Sequence, residues 1–185
     1  MTLTFHGAGD PAIAEQILAI LATTGASVTV LAVGTWLQAN PSIASKIIQG
    51  GHELGNHTWT HPDLASLPAG QIASEITQCR DLISQLSGSP GPYFRQSAAQ
   101  YATPLISTEA GKAGYPTTLS YDIDSLDWTD PGVPAIRSAV AGATAGSIVS
   151  MHFGHPQTVS ALPAILDDLK SRNLSVVTAS TLLAP

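Results

Sequence analysis

Charge and cysteine are both scarce in this chain. Of its 185 residues only 11% are Asp, Glu, Lys or Arg, and one is cysteine. A single cysteine excludes an internal disulfide, so stability must come from a buried core. The seven Lys and Arg are thinly spread and the formal net charge is −6. Without a basic patch, nucleic acid and an anionic membrane surface are poor partners. No apolar run is long enough to cross a bilayer. Three tryptophans are too few for a long aromatic platform, although Trp36, Trp59 and Trp128 could each stack on one sugar ring. No low-complexity stretch, short repeat or linker is visible, and the length suits one domain over residues 1–185 working as a monomer.

Hydrophobic residues make up 44% of the chain. With so little charge, that implies a well-buried core and a surface of Ser, Thr, Gln and Asn, which suits an extracellular protein. The chain opens Met1-Thr2-Leu3-Thr4-Phe5 as if in mid-strand and has no secretory signal, which reads as a form whose targeting region has been removed. Cys79 lies on the helical series Ile72, Ile76, Cys79, Ile83, Leu86 and reads as a small core residue.

Periodicity alternates between strand and helix. Strands are predicted at Thr2–Phe5, Ser27–Val33, Glu53–Asn56, Tyr93–Arg95, Thr117–Tyr121, Ser147–Met151 and Leu174–Thr178. Helices are predicted at Pro11–Ala22, Pro41–Gln49, Ala69–Leu86, Thr103–Ala113, Pro134–Ala141 and Thr158–Ser171. Prolines at first-turn positions and glycines after the last turns mark several of these boundaries. About seven strands alternating with about six helices give an α/β protein with a parallel sheet, open or closed into a barrel. Such folds place their chemistry at the C-terminal ends of the strands.

Polar residues fall at those ends repeatedly. His6 follows the first strand. His57 and His61 follow the third, in Asn56-His57-Thr58-Trp59-Thr60-His61-Pro62. Arg95, then Asp122, Asp124 and Asp127, then His152 follow later ones. A lone His-x-x-x-His pair is a weak signal, because a metal site needs a third ligand and an open position for water. The convergence of the other polar residues strengthens it. His52 reads as a packed strand residue, Asp122 and Asp130 as solvated turn residues, and His155 as either a cleft or a capping residue.

Three segments resemble motifs of the polysaccharide deacetylase family, the NodB-homology domain of carbohydrate esterases. They are Gly51-His52-Glu53-Leu54-Gly55-Asn56-His57-Thr58-Trp59-Thr60-His61, Tyr121-Asp122-Ile123-Asp124-Ser125-Leu126-Asp127-Trp128, and Ile148-Val149-Ser150-Met151-His152 with Leu162-Pro163. The resemblance implies a distorted (β/α) barrel of about seven parallel strands. It implies removal of acetyl groups from an acetylated polysaccharide, either an N-acetylglucosamine glycan such as chitin or peptidoglycan, or acetylated xylan. It also implies a divalent metal, often zinc, at the cell envelope or outside the cell. His57 and His61 become metal ligands and His152 the general acid. Asp124 and Asp127 line the site, one of them orienting His152. Arg95 holds the base or the acidic cluster, Met151 and Trp128 form an apolar lining, and the backbone N–H at Ala98 serves the oxyanion.

The first motif departs from the family's Thr-Phe-Asp-Asp-Gly-Pro. This chain reads Thr4-Phe5-His6-Gly7-Ala8-Gly9-Asp10, and Gln96-Ser97-Ala98-Ala99 replaces the usual residues after Arg95. The base Asp aligns with His6 and the metal-binding Asp with Gly7, which has no side chain. Three outcomes stay open: His6 completes a three-histidine site; Asp10 folds back as the carboxylate ligand while His6 acts as base; or the chain binds glycan without turnover. Two histidines and a carboxylate also describe a non-haem iron oxygenase, but such a site needs neither a late histidine acid nor a paired aspartate cluster.

Overall fold

A computed structural model describes residues 1–185. The strands are β1 (Thr2–Gly7), β2 (Thr29–Ala32), β3 (Glu53–Asn56), β4 (Ile123–Asp124) and β5 (Ile148–His152). The helices are α1 (Pro11–Thr24), α2 (Gly34–Ala39), α3 (Pro41–Gln49), α4 (Ala69–Ser87), α5 (Pro104–Lys112), α6 (Val133–Val140), α7 (Pro156–Ser171) and α8 (Ala179–Leu182). The strands pair in the order β3-β2-β1-β5-β4, all parallel. Single parallel bridges join Asn56 to Phe94 and Phe94 to Thr118, extending the sheet past β3. Thr118 therefore lies beyond one edge while Ile123 lies in β4 on the other. Five residues span only about 17 Å even when extended, so the two edges must curl toward each other. This is the distorted barrel that the resemblance implies.

Side-chain alternation divides the layers. On β1, Leu3 and Phe5 face outward into the main apolar core, with Ile17, Leu21, Ile165 and Leu169 from the surrounding helices. Thr4 and His6 take the opposite face. The same period on β5 sends Val149 and Met151 to the core and leaves Ser150 and His152 to the interior cavity. Met151 is fully buried among apolar neighbours and does not line the site, contrary to its expected role.

Several expected elements differ. β1 runs on to Gly7, so His6 lies within the strand. Tyr93–Arg95 and Thr117–Tyr121 shrink to the bridges at Phe94 and Thr118, and the Leu119 and Ser120 carbonyls accept from the Arg95 side chain. Residues 174–178 form no strand, although Val177 N–H donates to the Met1 carbonyl and Ser27 N–H to the Val176 carbonyl. The short helices α2 and α8 were not signalled by periodicity, which needs longer windows. Asp122 is exposed in a bend, as expected, and its carboxylate also accepts from Ile148 N–H at the start of β5.

Gly91 has a left-handed φ of 75°, and a Cβ there would overlap the Leu54 carbonyl oxygen. Gly88 has a similar φ of 78° with nothing within 4 Å of a Cβ. Gly88→Ala is expected to cost about 1 kcal/mol from backbone conformation alone. Gly91→Ala should cost about 3 kcal/mol or more, since overlap adds to it. Thermal unfolding of the two variants measures the difference.

Candidate active site

The strand ends gather around a cavity of about 540 Å³. His6, His57, His61, Ser150 and His152 line it together with Ala98, Gln100, Tyr121, Asp124 and Trp128. The imidazoles are neighbours. Ring centroids lie 4.2 Å apart for His6 and His57, 4.9 Å for His57 and His61, and 4.4 Å for His6 and His152.

His57 follows β3 directly and is buried. Its Nδ1 lies 2.9 Å from the Arg95 carbonyl, which can only accept, so Nδ1 carries the proton. Nε2 is left as a bare lone pair, and it is the only buried side-chain nitrogen or oxygen without a hydrogen-bond partner. Burial and the neighbouring His61 hold the His57 imidazole well below its ordinary pKa. Burial, then His57, His152 and Arg95, do the same to His6. Both rings are neutral.

His61 is brought back over His57 by a strained turn. Thr58 and His61 have φ of 70° and 62°, unusual for side chains with a Cβ. Thr58 N–H donates to Asn56 Oδ1 (2.9 Å) and His61 N–H to Thr58 Oγ1 (3.1 Å). Glu75 of α4 clamps the turn from outside. Its carboxylate accepts from Trp59 N–H (2.9 Å), Thr60 N–H (2.7 Å) and the Thr60 hydroxyl (2.7 Å). No local pattern marked Glu75, because its partners lie 15 and 16 residues away.

His152 ends β5. Its Nδ1 meets Asp127 Oδ1 at 2.7 Å, while Asp127 Oδ2 accepts from His152 N–H (2.9 Å) and the Thr158 hydroxyl (2.7 Å). Burial alone would raise the Asp127 pKa; the hydrogen bonds and charge of His152 outweigh it and hold the carboxyl below its usual range. Asp124 lines the cavity, but its Oδ1 accepts from Leu126 N–H (2.9 Å) and shapes the turn. A weaker pair, His155 and Asp130 at 3.4 Å, lies at the outer rim.

Arg95 is fully buried and lies within 4 Å of no carboxylate. Nε donates to the Leu119 carbonyl (2.9 Å), Nη2 to the Ser120 carbonyl (3.0 Å), and Nη1 to Thr4 Oγ1 (2.8 Å) and His6 Nε2 (3.1 Å). Burial pulls its pKa down to about 9, still charged at neutral pH. Of its two expected partners it meets the base position, through His6, and does not reach the acidic cluster.

The remaining expected residues divide. Ala98, at a left-handed φ of 62°, lines the cavity, and its N–H donates to no protein acceptor. Trp128 is 52% exposed at the rim. Trp36 is buried, with Nε1–H donating to the Gly9 carbonyl (2.8 Å), and the half-buried Trp59 packs over Gly34 and does not line the cavity. Asp10 is turned away, since its carboxylate caps α1 by accepting from Ala12 N–H (2.9 Å) at the exposed surface. At Gly7 a Cβ would sit 2.9 Å from Ala32 Cβ and 3.1 Å from the Trp36 ring, so no side chain fits without movement. Ser150 and Gln100 were missed, although Ser150 shares the face of His152 on β5.

The sequence matches the polysaccharide deacetylase family model over residues 1–118. The chain belongs to the polysaccharide deacetylase family. It is 32% identical over 188 aligned positions to a peptidoglycan-N-acetylglucosamine deacetylase from Bacillus cereus, covering 99% of this chain and 87% of that protein. Among solved structures it superimposes on a family 4 carbohydrate esterase from Streptomyces lividans in complex with acetate, at TM-score 0.89 and 27% identity over 95% of this chain and 90% of that one. It also superimposes on a family 4 pseudoenzyme from Bacillus anthracis, at TM-score 0.92 and 24% identity over 98% and 64%; that likeness concerns the fold alone.

The donor set can be weighed against the metal such a family implies. His57 Nε2 is an orphaned buried lone pair beside a second imidazole, which suits a borderline cation such as zinc. No third donor joins them: Gly7 has none, Asp10 lies elsewhere, and His6 Nε2 is engaged by Arg95. The chain fits a cation on two imidazoles and does not close a three-ligand set.

Glu75→Ala should cost about 2 kcal/mol and hasten amide exchange at Trp59 and Thr60, whereas Glu75→Gln, whose amide can serve all three partners, should cost less than about 1 kcal/mol. Hydrogen exchange and thermal unfolding read both. In acid, the folded state keeps His6 and His57 neutral while unfolded imidazoles take up protons near pH 6.5. Stability should therefore be full above about pH 6.5 and fall below it, by up to about 1.4 kcal/mol per pH unit for each ring. Chelator-treated His57→Phe should show a shallower fall in Tm between about pH 7 and about pH 5 than the chelator-treated parent.

Proposed function

We propose that this domain removes acetyl groups from a sugar polymer at the cell envelope or outside the cell, with a divalent metal, zinc by its donor chemistry, on His57 and His61. The polymer is an N-acetylglucosamine glycan of the peptidoglycan or chitin type, or acetylated xylan. When bound, such a cation would polarise the acetyl carbonyl and lower the pKa of water beside it. His152 supplies the proton for the leaving amine or alcohol, and Asp127 fixes the ring so that Nε2 faces the cavity. Ala98 N–H is free to meet the developing oxyanion. Trp128 offers its exposed face to a sugar ring. The observation that carries this reading is the His152–Asp127 pair, a complete acid with its orienting carboxylate beside the unpartnered His57 Nε2.

A second reading is favoured by the first strand. The base position holds a neutral His6 tied to Arg95, and the ligand position at Gly7 is sterically closed. A domain with these losses would bind acetylated glycan and turn it over poorly or not at all.

Acetate release from N-acetylated oligosaccharides after zinc loading decides between them. His57→Ala should release zinc. His152→Ala should keep it and lose about 10²- to 10⁴-fold in turnover. Sustained absence of acetate from the zinc-loaded parent, with chelator-indifferent oligosaccharide binding, would establish the second reading.

A further inference from the structure

His6 stands where neither a base nor a ligand explains it, and its hydrogen bond to Arg95 settles what it can do. A guanidinium has N–H donors and no acceptor, so the 3.1 Å contact makes His6 Nε2 the acceptor. A neutral imidazole has one ring proton, which must then be on Nδ1. Nδ1 has no protein partner, yet it is not sealed in, since His57 Nε2 is the only buried side-chain nitrogen or oxygen left unpartnered. His6 lines the cavity, so the N–H is open to it. Arg95 behind the ring polarises that N–H by drawing on the Nε2 lone pair.

We propose that His6 is a carbonyl-binding residue whose Nδ1–H donates to the acetyl oxygen of the bound sugar, without need of a metal. This rests on the reading of the cavity as an acetyl-sugar site. The role differs in sign from the carboxylate that the family places here: a donor replaces an acceptor. An acetyl carbonyl satisfies it and the protonated amine of the product, which has donors only, does not, so the residue would favour the acetylated sugar over its deacetylated product. His57 stands beside it with the opposite polarity, a bare Nε2 with ring centroids 4.2 Å apart.

The test uses chelator-treated protein with nitrogen-15 in its histidines and long-range proton–nitrogen NMR. The expected result is a protonated Nδ1 and bare Nε2 at His6, with the Nδ1 signal moving on addition of N,N′-diacetylchitobiose and not of the glucosamine dimer. His6→Phe should weaken binding of the acetylated sugar about tenfold. A proton on Nε2 overturns the inference whatever the sugar does, and needs no variant that folds. An unmoved Nδ1 while the sugar shifts other cavity resonances overturns it as well. No sugar binding at all, with the Nδ1–H tautomer in place, marks failure of the proposed function instead, and removes the ligand from the inference.

Discussion

A guanidinium without a counter-ion organises this molecule. Arg95 reaches three segments at once: its side chain bonds Thr4 and His6 on β1 and the carbonyls of Leu119 and Ser120, while its own carbonyl anchors His57 and its N–H meets the Asn56 carbonyl. Burying an isolated charge is costly unless its donors are all met. Here neutral acceptors meet them, and each such bond fixes something else. The two carbonyls lie just past the last bridge of the sheet, at Thr118. The Arg95 carbonyl sets the His57 tautomer, and its Nη1 sets that of His6. A substitution here would alter barrel closure and site chemistry together.

The same charge explains the electrostatic character of the cavity. Four imidazoles and a guanidinium sit at the strand ends, and the one buried aspartate near them is committed to His152. Burial drives His6 and His57 to their neutral forms, and Arg95 adds to that push by disfavouring further positive charge. A divalent cation would meet lone pairs without a balancing carboxylate. Affinity for one therefore depends on the donor strength of His57 and His61 alone, with Arg95 opposing it.

The architecture was legible because it rests on long patterns. α1, α3, α4 and α7 show apolar spacing over whole turns, and β3 and β5 sit between clear turn signals. The cluster of His6, His57, His61 and His152 was also legible, since each follows or ends a strand and parallel strands share one carboxyl end. What escaped depended on contacts across the chain. Nothing near Glu75 points to a turn beyond the next helix boundary, and nothing near Asp10 separates a helix cap from a ligand until the chain direction is known. Met151 was misplaced for a simpler reason. The period-two rule that put His152 in the cavity sends its immediate neighbour to the other face, and a motif read as a unit hides that alternation.

The two functional readings meet on His57. A buried imidazole nitrogen with no partner costs roughly 1–3 kcal/mol, and nothing in the packing requires it, since Asn or Gln could bridge the same carbonyl. A domain that only bound glycan would gain stability by losing it, unless the sugar itself supplied a donor there. The acetamido group has such a donor in its N–H, and its carbonyl is the complement of an imidazole N–H. An acetamido N–H would meet that lone pair, and the same bare nitrogen with His61 matches a cation. The orphaned lone pair argues for a bound partner in either case, and the protonation pattern around it, set by Arg95, determines which partner the site can hold.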